Sequence, residues 1–168
     1  MKFTISKTEI VKALSSTLGV VEKRQALPIL SNILLSVDEN NLTITATDLE
    51  SEVKTNCTPS IVESTGATTA PAKKLNELCR LLPDGSEVSI SLNGDKLSVQ
   101  SGLGKYSIST LPSEDFPVFD AVSENTEFII LGSVLRNLIS KTSFAMGNQD
   151  WRHYLNGMFI NVEDKNIT

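Results

Sequence analysis

Residues 127–168 repeat residues 2–43 without a gap, 125 positions later. Phe3 falls on Phe128, Ile5 on Ile130, Ser15 on Ser140, Thr17 on Thr142, Leu30 on Leu155, Val37 on Val162, Asn41 on Asn166 and Thr43 on Thr168. Ile10/Leu135 and Leu14/Ile139 keep the apolar phase. These eight identities in 42 positions preserve one order of strand, helix, loop, strand and turn. A period this long indicates a duplicated domain rather than a short solenoid unit. The first copy runs on for about 80 residues past the match, whereas the second stops as a strand begins. The expectation is a complete domain over 1–125 and the N-terminal fragment of a second over 126–168, a chain interrupted rather than finished.

With 40% hydrophobic and 21% charged residues, the first unit has enough apolar content for its own core. No apolar run approaches the ~20 residues of a membrane span. Met1-Lys2-Phe3-Thr4 opens into a strand rather than a signal peptide, so a cytoplasmic protein is expected. Cys57 and Cys79 lack metal-ligand spacing and read as buried, reduced thiols. The net charge of −5 argues against a uniformly basic nucleic-acid binder, but it is unevenly placed. Residues 7–24, 72–82 and 132–147 carry +2 each, which leaves −11 for the rest. A fold with its helices on one side would be basic there and acidic elsewhere. Solvated helix faces with no partner would give the same sums.

Residues 2–5 form a strand, and Ser6-Lys7-Thr8-Glu9 is a capping box opening a helix. Ile10, Ala13, Leu14, Thr17, Leu18 and Val21 follow helical spacing, with Lys7 and Lys12 on the polar side. Residues 29–37 and 42–48 flank a turn-rich tetrad as a hairpin, and 52–58 read as a third strand followed by a connection over 59–66. The plan then restarts with a strand at 68–70. Its helix has Pro71 in the first turn and Leu75, Leu78, Cys79 and Leu82 as its apolar stripe. Strands 88–92 and 96–100 straddle Asn93-Gly94, and Gly102-Leu103-Gly104 turns into a strand over 106–110. The first unit is therefore α+β: two βαβββ halves with both helices on one side. Residues 111–126 read as an extended acidic tie without structure of its own.

Catalytic readings find little support. His153, the one histidine, has no partner in a triad-like motif. Gly102-Leu103-Gly104-Lys105 lacks the phosphate-loop spacing. Asp48, Glu50 and Asp150 could share a metal in a nuclease, but Asp48 sits where turns use acids for local hydrogen bonds. No cofactor fingerprint is visible. A binding scaffold is expected, with no reaction, metal or cofactor of its own.

Met1-Lys2-Phe3-Thr4, Leu27-Pro28-Ile29-Leu30-Ser31-Asn32, Thr47-Asp48-Leu49-Glu50, Gly66-Ala67-Thr68-Thr69-Ala70-Pro71-Ala72-Lys73-Lys74, Asp115-Phe116-Pro117 and Tyr154-Leu155-Asn156-Gly157-Met158 lie in order along the chain. Together they resemble the bacterial beta sliding clamp family, the processivity subunits of DNA polymerase III. The resemblance covers all 168 residues. It implies the DNA-clamp fold, three domains per full-length chain and a head-to-tail dimer forming a ring, with helices inside and sheets outside. It further implies sequence-independent contact with double-stranded DNA through Lys7, Lys12, Lys73, Arg80, Arg136 and Lys141 on the helices. Arg24 and Gln149, equivalent in the repeat, would contact DNA from loops, as would Tyr154 and His153, the latter where relatives often carry tyrosine.

The same resemblance implies that DNA polymerase III and the clamp loader dock short hydrophobic peptides in a pocket. Arg152, Tyr154 and Leu155 would form its near edge. Lys74, Tyr106 and Ile108 would meet the other subunit, Tyr106 and Ile108 alternating on one face of an edge strand. Two rivals remain: a non-enzymatic α+β interaction module without a DNA role, and the metal-dependent nuclease.

Overall fold

The computed structural model describes residues 1–21, 27–119, 128–163 and 166–167. The chain divides into two compact units, Met1–Asp120 and Ala121–Thr168.

In the first unit, β1 (Lys2–Ser6) runs directly into α1 (Lys7–Thr17). The switch is made by Ser6, whose extended backbone ends the strand and whose hydroxyl accepts the Glu9 amide at 3.3 Å. The apolar stripe behaves as its spacing requires, with Ile10, Ala13, Leu14 and Thr17 buried. Pro28–Ser31 forms one 3-10 turn, so the next strand, β2 (Asn32–Val37), begins three residues later than its apolar pattern suggests. Pro28 fixes φ at the turn's first residue, and the Ser31 hydroxyl and Asn32 amide bond back to the Pro28 and Ile29 carbonyls. β3 (Leu42–Thr47) and β4 (Glu52–Cys57) complete the meander.

A strand missed by the sequence reading follows: β5 (Ile61–Ser64) pairs antiparallel with β1. Its half-exposed, acid-bearing sequence carries little strand signal, and its place is set by the free edge of β1. β6 (Gly66–Pro71) then leads into α2 (Ala72–Leu81), with Pro71 as N-cap rather than inside the first turn. β7 (Glu87–Asn93), β8 (Lys96–Ser101) and β9 (Gly104–Ser109) form a second meander. The tight turn joining β7 to β8 is Gly94-Asp95, because Asn93 still pairs with Lys96. Gly94 has φ +60° at the first turn position, the conformation a two-residue hairpin places on glycine.

The two halves exchange strands. One sheet has the order β5-β1-β7-β8-β9 and the other β4-β3-β2-β6, so each half lends its first strand to the other's meander. Helices α1 and α2 pack against each other, and a continuous core from Phe3 through Leu14, Leu35, Leu75 and Ile90 to Ile108 unites the halves.

Residues 111–119 of the expected tie carry structure of their own, and residues 120–126 lie outside the described residues. The Thr69 hydroxyl donates to the Leu111 carbonyl at 2.9 Å, while the Leu111 amide and the buried Asn32 side chain both donate to that hydroxyl. Ser113–Asp115 forms a 3-10 turn, Phe116 is 4% exposed, and the Phe119 amide bonds Glu52. The acidic composition hid one aromatic anchor, Phe116.

In the second unit the repeat is visible as structure. α3 (Gly132–Thr142) has the bounds of α1 moved by 125 residues, and the 3-10 turn His153–Asn156 those of Pro28–Ser31. The hairpin β10 (Val162–Glu163) and β11 (Asn166–Ile167) pairs Val162 with Ile167 where the first copy pairs Val37 with Leu42. One expected element is absent: residues 128–131 match β1 but form no strand, since no neighbour offers an edge. No described residue of this unit is buried.

Candidate nucleic-acid interface

α1 and α2 turn their apolar stripes into the core and leave their polar faces to solvent. On those faces Lys12, Lys74 and Arg80 are exposed and Lys73 is half-buried. α3 exposes Arg136 and Lys141 together with Gly132, Ser133, Asn137 and Ser140. Among the described residues, ion pairs join Lys2 to Glu63, Lys7 to Asp84, Lys54 to Glu52 and Arg152 to Asp150. Lys12, Lys73, Lys74, Arg80, Arg136 and Lys141 take part in none of them. Such cations keep their full charge for an external anion.

Lys7 differs from these six. Its ammonium donates to the Leu82 carbonyl at the end of α2 and pairs with Asp84 at 2.7 Å, which leaves its side chain 13% exposed. The helical phase put Lys7 on the polar face; what it missed is that the end of α2 lies beside it. Arg24 lies outside the described residues.

In the second unit, the loop between α3 and β10 is tied by side chain to backbone. The Asn156 amide group donates to the Asp150 carbonyl and accepts the Asp150 amide, both at 2.9 Å, and the Gly147 amide donates to the Leu155 carbonyl at 2.7 Å. A side chain at Gly147 would meet Asn156 Oδ1 at 3.2 Å, which accounts for glycine there. Arg152 grips Asp150 through Nε and an Nη, and this contact holds the Asp150 carboxyl below its usual range. Arg152 also lies 5.8 Å from the centroid of the Trp151 ring.

The loop thus presents Gln149, Trp151, His153 and Tyr154 outward. Gln149 adopts φ +56°, and Trp151 and Tyr154 are 83% and 77% exposed. Trp151 was not singled out from sequence. Its signal, a lone tryptophan beside arginine in a polar loop, was available. Leu155 is half-buried. An apolar recess of this unit is walled by other residues, among them Leu135, Leu138, Ile139, Met158, Phe159 and Ile160.

At the edge strand β9, Tyr106 is 45% exposed and Ile108 only 1%. They share a face, but Ile108 pairs across to Leu97 and belongs to the core, so its side chain cannot line a subunit contact as expected. Lys74 is exposed on α2.

Asp48 Oδ1 accepts the amides of Glu50 and Ser51 at 3.0 and 2.6 Å, the local role of a turn acid. Asp150 serves its own loop in the same way. Among the described residues no three His, Cys, Asp or Glu side chains gather as metal ligands. No described helix is long and apolar enough to cross a membrane.

Comparison with known proteins returns a single family. The family described as "DNA polymerase III beta subunit, N-terminal domain" matches residues 1–120. The chain is 43% identical over 167 residues to the beta sliding clamp of Proteus mirabilis, covering 99% of this chain and 46% of that one. With the beta sliding clamp of Escherichia coli K12 it shares 40% over the same length and coverage. A crystal structure of the DNA polymerase III subunit beta from Pseudomonas aeruginosa superposes with a TM-score of 0.91 at 42% identity, covering 95% of this chain and 43% of that one. The chain belongs to the DNA polymerase III beta subunit family and has the sliding-clamp fold. It spans slightly under half the length of the curated relatives it matches.

Proposed function

We propose that this chain is part of a DNA sliding clamp, a cytoplasmic processivity factor that tethers DNA polymerase III to duplex DNA by encircling it. The observation that carries the reading is the set of unpaired cations on the exposed faces of α1, α2 and α3, in a chain of this family. Lys12, Lys73, Arg80, Arg136 and Lys141 would meet phosphates, with Arg24, Gln149, Tyr154 and His153 adding loop contacts. Lys7 would contribute through the ammonium's field rather than by direct contact. Phosphate contacts carry no base readout and exchange readily with water and counterions, which suits a protein that must slide.

Holding by topology asks no chemistry of the chain, so it has no reaction of its own. Arg152, Tyr154 and Leu155 form one edge of the site where polymerase and clamp-loader peptides dock. Lys74, Tyr106 and the free main-chain edge of β9 face the other subunit of a head-to-tail dimer. Duplex binding at graded salt tests the phosphate reading. Lys73→Ala with Arg80→Ala should weaken binding equally on unrelated sequences, and sequence-dependent losses would contradict it.

A further inference from the structure

β6 is an outer strand of its sheet, in the order β4-β3-β2-β6, and the chain that follows β9 closes part of its edge. The Thr69 amide donates to the Leu111 carbonyl at 3.2 Å, so Thr69 turns its main-chain groups away from β2. Main-chain groups alternate along an antiparallel strand, and Ala67 and Pro71 therefore face the same edge as Thr69. Pro71 has no amide hydrogen to offer. An antiparallel continuation of the Thr69–Leu111 bridge would bring Ser113 opposite Ala67. Ser113 instead begins the 3-10 turn Ser113–Asp115 and leaves that place open. Among the described residues, the outward Ala67 amide and carbonyl have no partner.

The open place is a recess of about 350 Å³, at the small end of ligand pockets. Its lining includes Ala67, Thr68, Leu92 and Leu111 together with the acids Asp95 and Glu114. Both acids are exposed and take part in none of the ion pairs among the described residues. Thr68 is 3% exposed, and its hydroxyl bonds no described group. Among the described residues only Asn76 Oδ1 is both fully enclosed and unpartnered, so the Thr68 hydroxyl reaches the recess instead of being sealed in the core. Buried polar groups are nearly always paired, and here the partner has to come from outside the chain.

We propose that this recess takes a short extended peptide carrying a lysine or arginine, added as a strand to the edge of β6. The peptide main chain pairs with Ala67 where Ser113 turns away, and its basic side chain meets Asp95 and Glu114. An apolar side chain of the same peptide packs against Leu92 and Leu111, and the Thr68 hydroxyl supplies a further hydrogen bond. Two features select a peptide over a simple amine. A free strand edge recognises main chain, and this edge already holds one main-chain residue of its own, Leu111. The sign of the side chain follows from two acids that have no counter-charge of their own. The site shares no residue with the Arg152 edge or the β9 contact of the proposed function.

The probe is N-acetyl-valyl-lysyl-valinamide, titrated into the isotope-labelled 168-residue chain and followed by amide chemical shifts. The amides of Ala67, Gly94 and Asp95 should shift and saturate, and the glutamyl counterpart of the probe should move none of them. Asp95→Asn with Glu114→Gln should weaken binding about tenfold, the loss of a charge-assisted hydrogen bond. Ala67→Pro should abolish it, since an edge position whose amide faces outward accepts proline while losing its donor. Because Ala67→Pro could disturb β6, a probe methylated on every main-chain nitrogen gives a second reading with the protein untouched, and it should not bind. A lysyl probe that shifts none of these amides would overturn the proposal. So would equal binding of the glutamyl probe, of the methylated probe, or of butylamine, since none of these needs both a strand and a cation. The lysyl probe should also bind a Proteus mirabilis beta sliding clamp carrying residues 1–168 of this chain, read by saturation transfer to the peptide. Absence of binding there would overturn the proposal as well.

Discussion

Lys7, the first residue of α1, closes the end of α2: its ammonium bonds the Leu82 carbonyl and pairs with Asp84 at 2.7 Å. A cation at a helix C-terminus meets the negative end of the backbone dipole and an otherwise unpaired carbonyl. Lys7 therefore ties the two halves of the first unit together, while Lys12, one and a half turns on, remains open to solvent.

Lys7→Ala should lower the stability of the first unit by about 1.5–3 kcal/mol, the range for a hydrogen bond to a charged group. Urea denaturation measures this. DNA affinity should change less than it does for Lys12→Ala, because the Asp84 carboxylate already offsets the Lys7 charge.

Each open cation displaces counterions from the duplex on binding. Removing Lys73 or Arg80 singly should reduce the slope of log affinity against log salt by about 1, uniformly across DNA sequences. Fluorescence anisotropy on two unrelated duplexes would show it. An unchanged slope would remove that residue from the interface.

Thr69 is fully buried and its hydroxyl serves three partners: the Asn32 side chain, the Leu111 carbonyl and the Leu111 amide. Thr69→Val keeps the shape and removes the partner of the buried Asn32 side chain and of the Leu111 amide, while the Leu111 carbonyl keeps the Thr69 amide. A loss of about 2–3 kcal/mol is expected, at the upper end for unsatisfied buried polar groups. Thr69→Ser should recover most of it, both read by thermal or urea unfolding.

Burial pushes the Cys57 thiol up to about 11, with the Glu9 carboxylate adding to the rise, and the Cys79 thiol up to about 12. A thiol reacts as thiolate, so both should resist a disulfide reagent at pH 8 in the folded chain. Both should react at once in denaturant, and Cys79 should be the slower in any partial exposure. Fast native labelling of Cys79 would contradict the packing of α2.

The carboxyls of Asp38, Asp84 and Asp150 are all held below their usual range, by backbone amides at Asn40 and Asn41, by Lys7 and by Arg152 respectively. A depressed folded value means the unfolded chain binds protons first. Their contribution is therefore complete above the ordinary carboxylate value and disappears as pH falls through the depressed ones. Melting temperature should fall in acid, and Asp84→Asn should flatten that fall for the first unit.

Local chemistry was legible in the sequence, whereas relations between distant segments were not. The Ser6 cap, the stripes of α1 and α2 and the repeat all depend on neighbours within a turn or on direct copying, and all are present. Strand exchange between the halves leaves no periodic trace, because β1 and β6 look alike whichever meander they join. β5 exists because β1 has a free edge. Ile108 and Tyr106 share a face and a spacing and both pair with buried residues, Leu97 and Val99, yet tertiary packing buries the first and leaves the second half-exposed. Lys7 and Lys12 present the same charge to a helical wheel. The approach of Leu82 and Asp84 distinguishes them.

The most direct test of the clamp account is retention on DNA of different topology. Residues 1–168 would replace the corresponding part of the Proteus mirabilis beta sliding clamp, and the chimera would be loaded onto nicked circular DNA. Retention on the circle, with rapid loss when the DNA is cut to a linear form, is the predicted result. Equal retention on both forms would mean holding by contact instead of encirclement, and would contradict the account.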